Sequence, residues 1–315
     1  MIRLSAGWRE RLACPSCRSP LESPAEVESV PCGRCGASYG AVDGIVNFGV
    51  RDEFYEAHGF VSTGRNFGNS IRDHFGLYFA RHQHLYEIAR IVPAGAAVIE
   101  IGCGGGSKFL GSRFDMLGVE VSARSSQRAA SAYASVIQAT AERLPVRDGV
   151  ADAIVSSCVL EHFADDVIES SMGEMARVLK PGGVMVHFLD LDNDGPFYRW
   201  AKRQPWHHAV FVTQKGHFGL RPLTTWRQLL NGHGFRPLRE RMFNKSWLQD
   251  LTIWAALDDP LVHGTPRTLG RAALALIKHT GVASDIVINL VHNTVESWLP
   301  ERWAAKAILV VEKVH

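Results

Sequence analysis

No stretch of this chain of 315 residues approaches the roughly 20 consecutive apolar residues that cross a bilayer, and the N-terminal Met1-Ile-Arg-Leu-Ser-Ala-Gly-Trp-Arg-Glu10 has no secretory apolar core. A membrane-spanning or secreted protein is therefore not expected, and the reading is a cytoplasmic one. Net charge is also scarce: 34 Lys plus Arg stand against 32 Asp plus Glu, a formal +2, so the chain lacks the strong positive excess of a protein that binds nucleic acid over its whole surface. Cysteine is limited to six residues, and a reducing compartment and a large domain both argue against pairing them as disulfides. What is present, 46% hydrophobic and 21% charged residues, suits one domain of about 200 residues with smaller additions.

Four of the six cysteines fall in two pairs, Cys14-Pro-Ser-Cys17 and Cys32-Gly-Arg-Cys35, separated by fourteen residues. That is metal-ligand spacing, and four thiolates suit a tetrahedral zinc ion. Pro15, Gly33 and Gly36 permit the tight turns that bring backbone N–H groups to the sulfurs. Four protein ligands leave no open coordination position, so Cys14, Cys17, Cys32 and Cys35 are expected to hold a structural zinc that folds residues 1–50 as a ribbon.

The apolar run Ala96-Ala97-Val98-Ile99 leads into Glu100-Ile-Gly-Cys-Gly-Gly-Gly106, which reads as a strand end, a glycine-rich turn and a carboxylate. A dinucleotide fingerprint would place Gly or Ala at Ser107, and a P-loop would place Lys-Ser or Lys-Thr where the chain has Lys108-Phe109, so both phosphate cradles fit poorly. The acid before the glycines instead favours a ligand that carries a cation. Met116–Glu120 reads as a second strand ending in a carboxylate where doubly wound folds place the acid for ribose hydroxyls. Val136–Gln138, Asp152–Ser157 and Val184–Phe188 read as further strands, with Met172, Met175 and Leu179 on one face of the helix between the last two. Lys180-Pro-Gly-Gly183 is expected to end that helix. Phe235–Phe243 and Ala307–Val314 complete the pattern.

In these motifs the chain resembles the class I S-adenosylmethionine-dependent methyltransferases, over roughly residues 90 to 245 and the last ten. The resemblance implies an α/β fold: a doubly wound, mostly parallel seven-stranded Rossmann-like sheet, here with an N-terminal zinc ribbon and a helical C-terminal insertion at about 245–300 inside a methyltransferase domain of 91–315. It implies S-adenosylmethionine as cofactor, with Glu100, Gly102 and Gly104 at its methionine end, Glu120 on the ribose, Ala141 and Glu142 flanking adenine, and Ser157 at the crevice. One departure is Thr140, where the family often carries Asp. The ribbon, with Pro20-Leu21 and Tyr39-Gly-Ala-Val-Asp-Gly-Ile45, resembles the small zinc-ribbon activator subunits of tRNA and release-factor methyltransferases, and the ribbon of rRNA guanine methyltransferases.

Residues 51–90 read as a linker and lid helix over the cofactor, or as packing between ribbon and core; they carry Phe54, Tyr55, Phe60, Phe67, Phe75, Tyr78 and Phe79, with His82 and His84 expected on a helix surface. From Pro196 to Lys245 ten Lys plus Arg face one acid, Glu240, so the remainder of the chain sums to +2 − 9 = −7 and the positive charge gathers beside the expected site mouth. This patch favours an anionic acceptor, a phosphorylated or carboxylated small molecule, an acidic glycan, a lipid head group or RNA, and Trp200, Trp206, Phe211, Phe218 and Trp226 in the same stretch could stack on sugar rings or bases or pack the cap. Leu269, Ala272, Ala273, Leu276 and Ile277 share a helix face expected to pack on the core, with peripheral membrane contact as the alternative.

Methyl transfer needs in-line approach in a dry pocket, and a hydroxyl acceptor also needs a proton acceptor. His162, after the fourth strand, is the first candidate base, or else half of a positioning pair with Glu161; His217 is the second, and Asp190 and Asp192 are candidates to orient substrate. The reading is an S-adenosylmethionine-dependent O-methyltransferase of a sugar-containing or other polar molecule. A tRNA or rRNA base methyltransferase is the main alternative, though no N-P-P-Tyr-like motif follows the fourth strand. A non-catalytic cofactor-binding activator is the third.

Overall fold

The computed structural model describes residues 2–22, 28–50, 79–246, 251–280 and 294–314, together with 283, 287, 290 and 291. Residues 51–78, the greater part of the expected lid, lie outside the described residues.

Among the described residues, ten strands, the first of them β1 (Ser29–Pro31), form one sheet in the order β1-β2-β3-β6-β5-β4-β7-β8-β10-β9. Its centre is β4 (Ala97–Ile101), β5 (Asp115–Glu120), β6 (Ser135–Gln138), β7 (Ala151–Ser157) and β8 (Leu179–Asp190), all parallel. β10 (Lys306–Lys313) runs antiparallel between β8 and β9 (Phe235–Phe243). Every residue of β4 is buried, as expected of a parallel strand covered on both faces. The pleat then sorts the side chains: Ile99, Ile101, Leu117 and Val119 enter one core with Met172 and Met175, while Val98, Met116, Val136 and Val155 enter the other with Ile88 and Leu110. The chain moves outward from β4 through β5 to β6, then returns to lay β7 on the other side of β4. That reversal opens a crevice at the carboxyl ends of β4 and β7.

The expected seven-stranded doubly wound sheet is present, and the ribbon extends it. β2 (Ser38–Val42) and β3 (Ile45–Asn47) join through Asp43 and Gly44, whose φ values of 52° and 80° give the two-residue hairpin turn that matches strand twist. β3 then pairs in parallel with β6, Val46 beside Ile137 and Asn47 beside Gln138. The ribbon thus covers the unpaired edge that β6 would present. Trp8 is fully buried and donates from Nε1 to the Asp115 carbonyl at 3.0 Å. Leu12, Leu144 and Val146 belong to the same core as Met172.

A polar clamp reinforces this union. Arg18, in a left-handed conformation at φ 63°, donates from both terminal nitrogens to Glu174 at 2.8 Å, and Arg177 and the Leu144 N–H donate to the same carboxylate. Burial raises the Glu174 pKa, but the hydrogen bonds and charges of Arg177 and Arg18 outweigh it and hold the carboxyl below its ordinary 4.5. A depressed carboxylate stabilises the fold fully above the unfolded value and loses that contribution as pH falls through the folded one. Glu174→Ala is therefore expected to lower unfolding free energy by about 2 to 3 kcal/mol near neutrality, with the difference shrinking below pH 4.5 in denaturant titrations.

Three local expectations differ from the structure. The helix Asp165–Val178 ends before Lys180-Pro-Gly-Gly183, and that segment bulges within β8: the pairing with β7 jumps from Leu179 to Val184 while β7 advances from Ala151 to Ala153. His84 is buried and stacks on Phe188 at 5.8 Å, because the helix Phe79–Ile91 lies against the sheet; the His82 side chain lies outside the described residues. The helix Thr265–Thr280 does not bury the expected face: Leu269 and Leu276 are 57% and 63% exposed, and the helix docks instead at Gly270, where no side chain separates it from Leu257. No described helix is long and apolar enough to cross a membrane.

Candidate functional site

The glycine loop leaves β4 at the crevice. Gly102, Gly104 and Gly106 have φ of 62°, 51° and 73°, a region that side chains with a Cβ rarely adopt. A Cβ on Gly102 would stand 2.5 Å from Val159 Cγ2, and one on Gly106 would stand 2.9 Å from Ala132 Cβ. The loop is held by the two carboxylates that the sequence singled out. Glu120 accepts from the Gly104 N–H at 2.7 Å with one oxygen and from Val121 and Ser122 N–H at 2.9 and 3.1 Å with the other. Three backbone donors thereby fix the carboxylate at the end of β5. Glu100 accepts from the Tyr133 hydroxyl, and that hydroxyl accepts the Ser107 N–H at 2.8 Å. Burial, together with the charge of Glu120, pushes the Glu100 carboxyl up to about 8 despite the Tyr133 hydrogen bond. Tyr133 was not legible as a site residue; a lone tyrosine between a helix and a strand has no sequence signal.

Ala141 and Glu142 lie in the short turn Ala141–Arg143 that follows β6 at the same carboxyl edge and packs on the helix Asp165–Val178. Ser157 closes β7 opposite Phe188 of β8. The next residue, Cys158, has φ 54°, a strained value for a residue with a side chain, and its N–H donates to the Phe188 carbonyl at 2.7 Å. This turns the chain across the mouth of the glycine loop into Leu160–His162.

The two candidate bases come together. The His162 and His217 rings meet edge to face with centroids 5.0 Å apart, and His162 Nδ1 donates to the Gly216 carbonyl at 2.9 Å. Burial lowers the pKa of His162, and burial with the surrounding cations brings His217 down to about 4 despite Asp190. Both rings are therefore neutral at pH 7. Beneath them Glu161 is fully buried, and burial with the neighbouring Asp190 charge pushes its carboxyl up to about 8. Asp190 goes the other way: burial opposes ionisation, but the Lys306 ammonium, which donates to it, holds it lowered. Lys306 is the partner that sequence reasoning missed, because it arrives from β10, 116 residues away. Asp192 pairs with Lys202.

The basic cap is dispersed by its contacts. Of its ten cations, six pair with carboxylates: Lys202 with Asp192, Arg221 with Asp165, Arg227 with Glu240 and Glu301, Arg236 with Glu312, and Arg239 and Arg241 with Glu87. Trp226 is wholly buried, and Trp206 packs between Trp200 and Phe211. The positive charge of the cap is thus partly offset by carboxylates from other elements, through pairs in which Arg221 is the only buried cation.

The cysteines fit a metal. Cys14 and Cys35 sulfurs lie 3.7 Å apart, and Cys17 and Cys32 sulfurs 3.5 Å, close to the ~3.8 Å edge of a tetrahedron with Zn–S near 2.3 Å. All four lie within 4.8 Å of one another. Gly36 and Cys32 N–H and carbonyl groups close one knuckle, and Arg18 and Cys14 close the other.

A family model described as a methyltransferase domain matches residues 99–187. The chain is 32% identical over 142 residues to the tRNA (carboxymethyluridine(34)-5-O)-methyltransferase ALKBH8 of Mus musculus, a match that covers 43% of this chain and 19% of the relative. It is 30% identical over 123 residues to the tRNA (carboxymethyluridine(34)-5-O)-methyltransferase of Arabidopsis thaliana, covering 38% of this chain and 30% of the relative. The chain therefore spans less than a third of the length of either relative. Among solved structures, phosphoethanolamine N-methyltransferase 2 of Haemonchus contortus, in complex with S-adenosyl-L-methionine, matches 74% of this chain and 53% of its own with a TM-score of 0.50 and 15% identity, a likeness of fold. These relatives support the RNA alternative and lend nothing to a glycan acceptor, which corrects the preferred reading of a sugar-containing or other polar small molecule. Residues 99–187 thus match a methyltransferase domain, on a fold shared with a methyltransferase solved in complex with S-adenosyl-L-methionine.

Proposed function

We propose that this chain methylates tRNA, transferring the donor methyl to an oxygen of a modified uridine. The observation that carries this reading is the 142-residue match to a tRNA (carboxymethyluridine(34)-5-O)-methyltransferase. A carboxylate oxygen is the acceptor that suits the site best. It is already ionised at neutral pH and needs no general base, so His162 and His217, partly buried and made weaker bases by that burial, would position the acceptor.

S-adenosylmethionine supplies a methyl activated by its sulfonium. Glu100 with the glycine backbone at Gly102 and Gly104 would receive its methionine end. Glu120 would accept from the ribose hydroxyls, Ala141 and Glu142 would flank the adenine, and Ser157 would border the reacting centre. In the ribbon, Cys14, Cys17, Cys32 and Cys35 would hold a zinc whose role is to fold the β1–β3 unit, with β1 at Ser29–Pro31, onto β6.

Two measurements test the reading. Zinc-replete protein incubated with tritiated donor and bulk tRNA is expected to label the tRNA, and mild alkali is expected to release the label as methanol, the behaviour of a methyl ester. Label that enters no RNA, or that enters only soluble saccharides, sinks the proposal. Separately, Glu100 at about 8 is protonated near pH 7 and should ionise beside the donor's cationic end, so donor binding is expected to release protons. Calorimetric enthalpies at pH 7 should then vary with the ionisation enthalpy of the buffer, and Glu100→Gln should remove that variation.

A further inference from the structure

Outside the ribbon, a second set of ligand-type side chains converges. Glu161, His162 and His217 place a carboxylate oxygen and one nitrogen of each ring within 4.8 Å of one another. Ligand atoms each about 2.1 Å from one ion stand about 3.4 Å apart in tetrahedral geometry and about 4.2 Å apart when opposite, so a small inward movement of these side chains closes a site.

An independent observation points to a ligand at this place. Glu161 has no exposed surface, its Oε2 is buried without a hydrogen-bond partner, and its Oε1 accepts from the Asp190 N–H at 3.3 Å. A buried carboxyl oxygen left unmatched is costly, and a bound cation removes the deficit. The His162 ring is held by a hydrogen bond from Nδ1 to the Gly216 carbonyl at 2.9 Å and by the Cys158 backbone, which fix its plane beside Glu161. His217 makes no side-chain hydrogen bond to a described residue and lies against the His162 ring. Cys158 and Asp190 surround the same Glu161 as a second overlapping ligand group, and Asp190 is balanced by Lys306.

We infer that Glu161, His162 and His217 form a second metal site, distinct from the four-cysteine ribbon, for a divalent first-row ion such as zinc, cobalt or iron. One carboxylate and two imidazoles suit these ions and leave coordination positions for water or an acceptor oxygen. The turn that carries Glu161 and His162 abuts Gly102 through Val159, so the ion lies on the acceptor side of the glycine loop. The inference concerns ion binding and stands whatever the acceptor.

The test uses full-length protein shown by elemental analysis to hold one zinc per chain, titrated with cobalt(II). The expected result is one further equivalent bound, visible as d–d absorption, with no release of zinc. Glu161→Gln and His217→Asn should each weaken that binding at least about 10-fold while zinc content and circular dichroism remain those of the parent. A parent chain that takes up no second equivalent at millimolar cobalt overturns the site, as does binding that survives unchanged in both variants. Should Glu161→Gln fail to fold, His217→Asn decides alone, since His217 is only half-buried.

Discussion

Cys17→Ser is expected to strip zinc from the chain and to lower its thermal midpoint by about 10 °C or more, the largest stability effect proposed for this protein. Structural zinc is worth about 10 kcal/mol or more to a small ribbon that cannot otherwise fold. Here the ribbon is continuous with the enzyme domain, so its loss is not confined to the first fifty residues. β6 would lose its outer neighbour β3 and become an open edge, Trp8 would leave its contact at Asp115, and Arg18 would leave Glu174. A loss of about 7 kcal/mol from this shared core already lowers the midpoint of a chain of this size by about 10 °C. Calorimetric scans and zinc analysis of parent and variant check the expectation together. A parent chain without stoichiometric zinc, or a variant that melts with the parent, would remove the metal from the account of the fold.

The second large effect is on donor binding. Gly102→Ala is expected to weaken S-adenosylmethionine affinity by about 100-fold or more, equivalent to about 2.7 kcal/mol, as read by isothermal calorimetry. Two penalties act together at this position. The φ of 62° disfavours alanine, and the new Cβ would meet Val159 Cγ2 at 2.5 Å, forcing apart the glycine loop and the segment that carries Glu161 and His162. A control separates them. Gly149 has nearly the same φ, 61°, but a Cβ at that position would have nothing within 4 Å, so Gly149→Ala should cost about 1 kcal/mol of stability and leave donor affinity unchanged. Equal losses of affinity in the two variants would mean that the approach of the glycine loop to Val159 has no part in holding the donor.

Local pattern accounts for much of what could be read in advance. The runs at 96–99, 116–120 and 152–157 announce their strands because a strand buried on both faces must be apolar nearly throughout. The glycines at 102, 104 and 106 announce backbone that side chains would block. Cys14, Cys17, Cys32 and Cys35 announce a cluster because few other arrangements use that spacing. The sequence by itself thus determined the αβ alternation, the location of the glycine loop with Glu100 and Glu120, and the cysteine set.

Tertiary structure alone decided the rest. That β3 continues the sheet at β6 depends on pairing across about ninety residues, which no local period encodes. That Glu100 is braced by Tyr133, Asp190 by Lys306 and Glu174 by Arg18 depends on which elements the folded sheet brings side by side. The same holds for the cap: a tally along the chain places ten cations together, but the counter-charges Glu87, Asp165, Glu301 and Glu312 lie about thirty residues or more outside that stretch and meet them only in the fold. Backbone periodicity acts over a few residues, whereas charge compensation and burial act through space, and that difference in range separates what the residues announce from what only their packing settles.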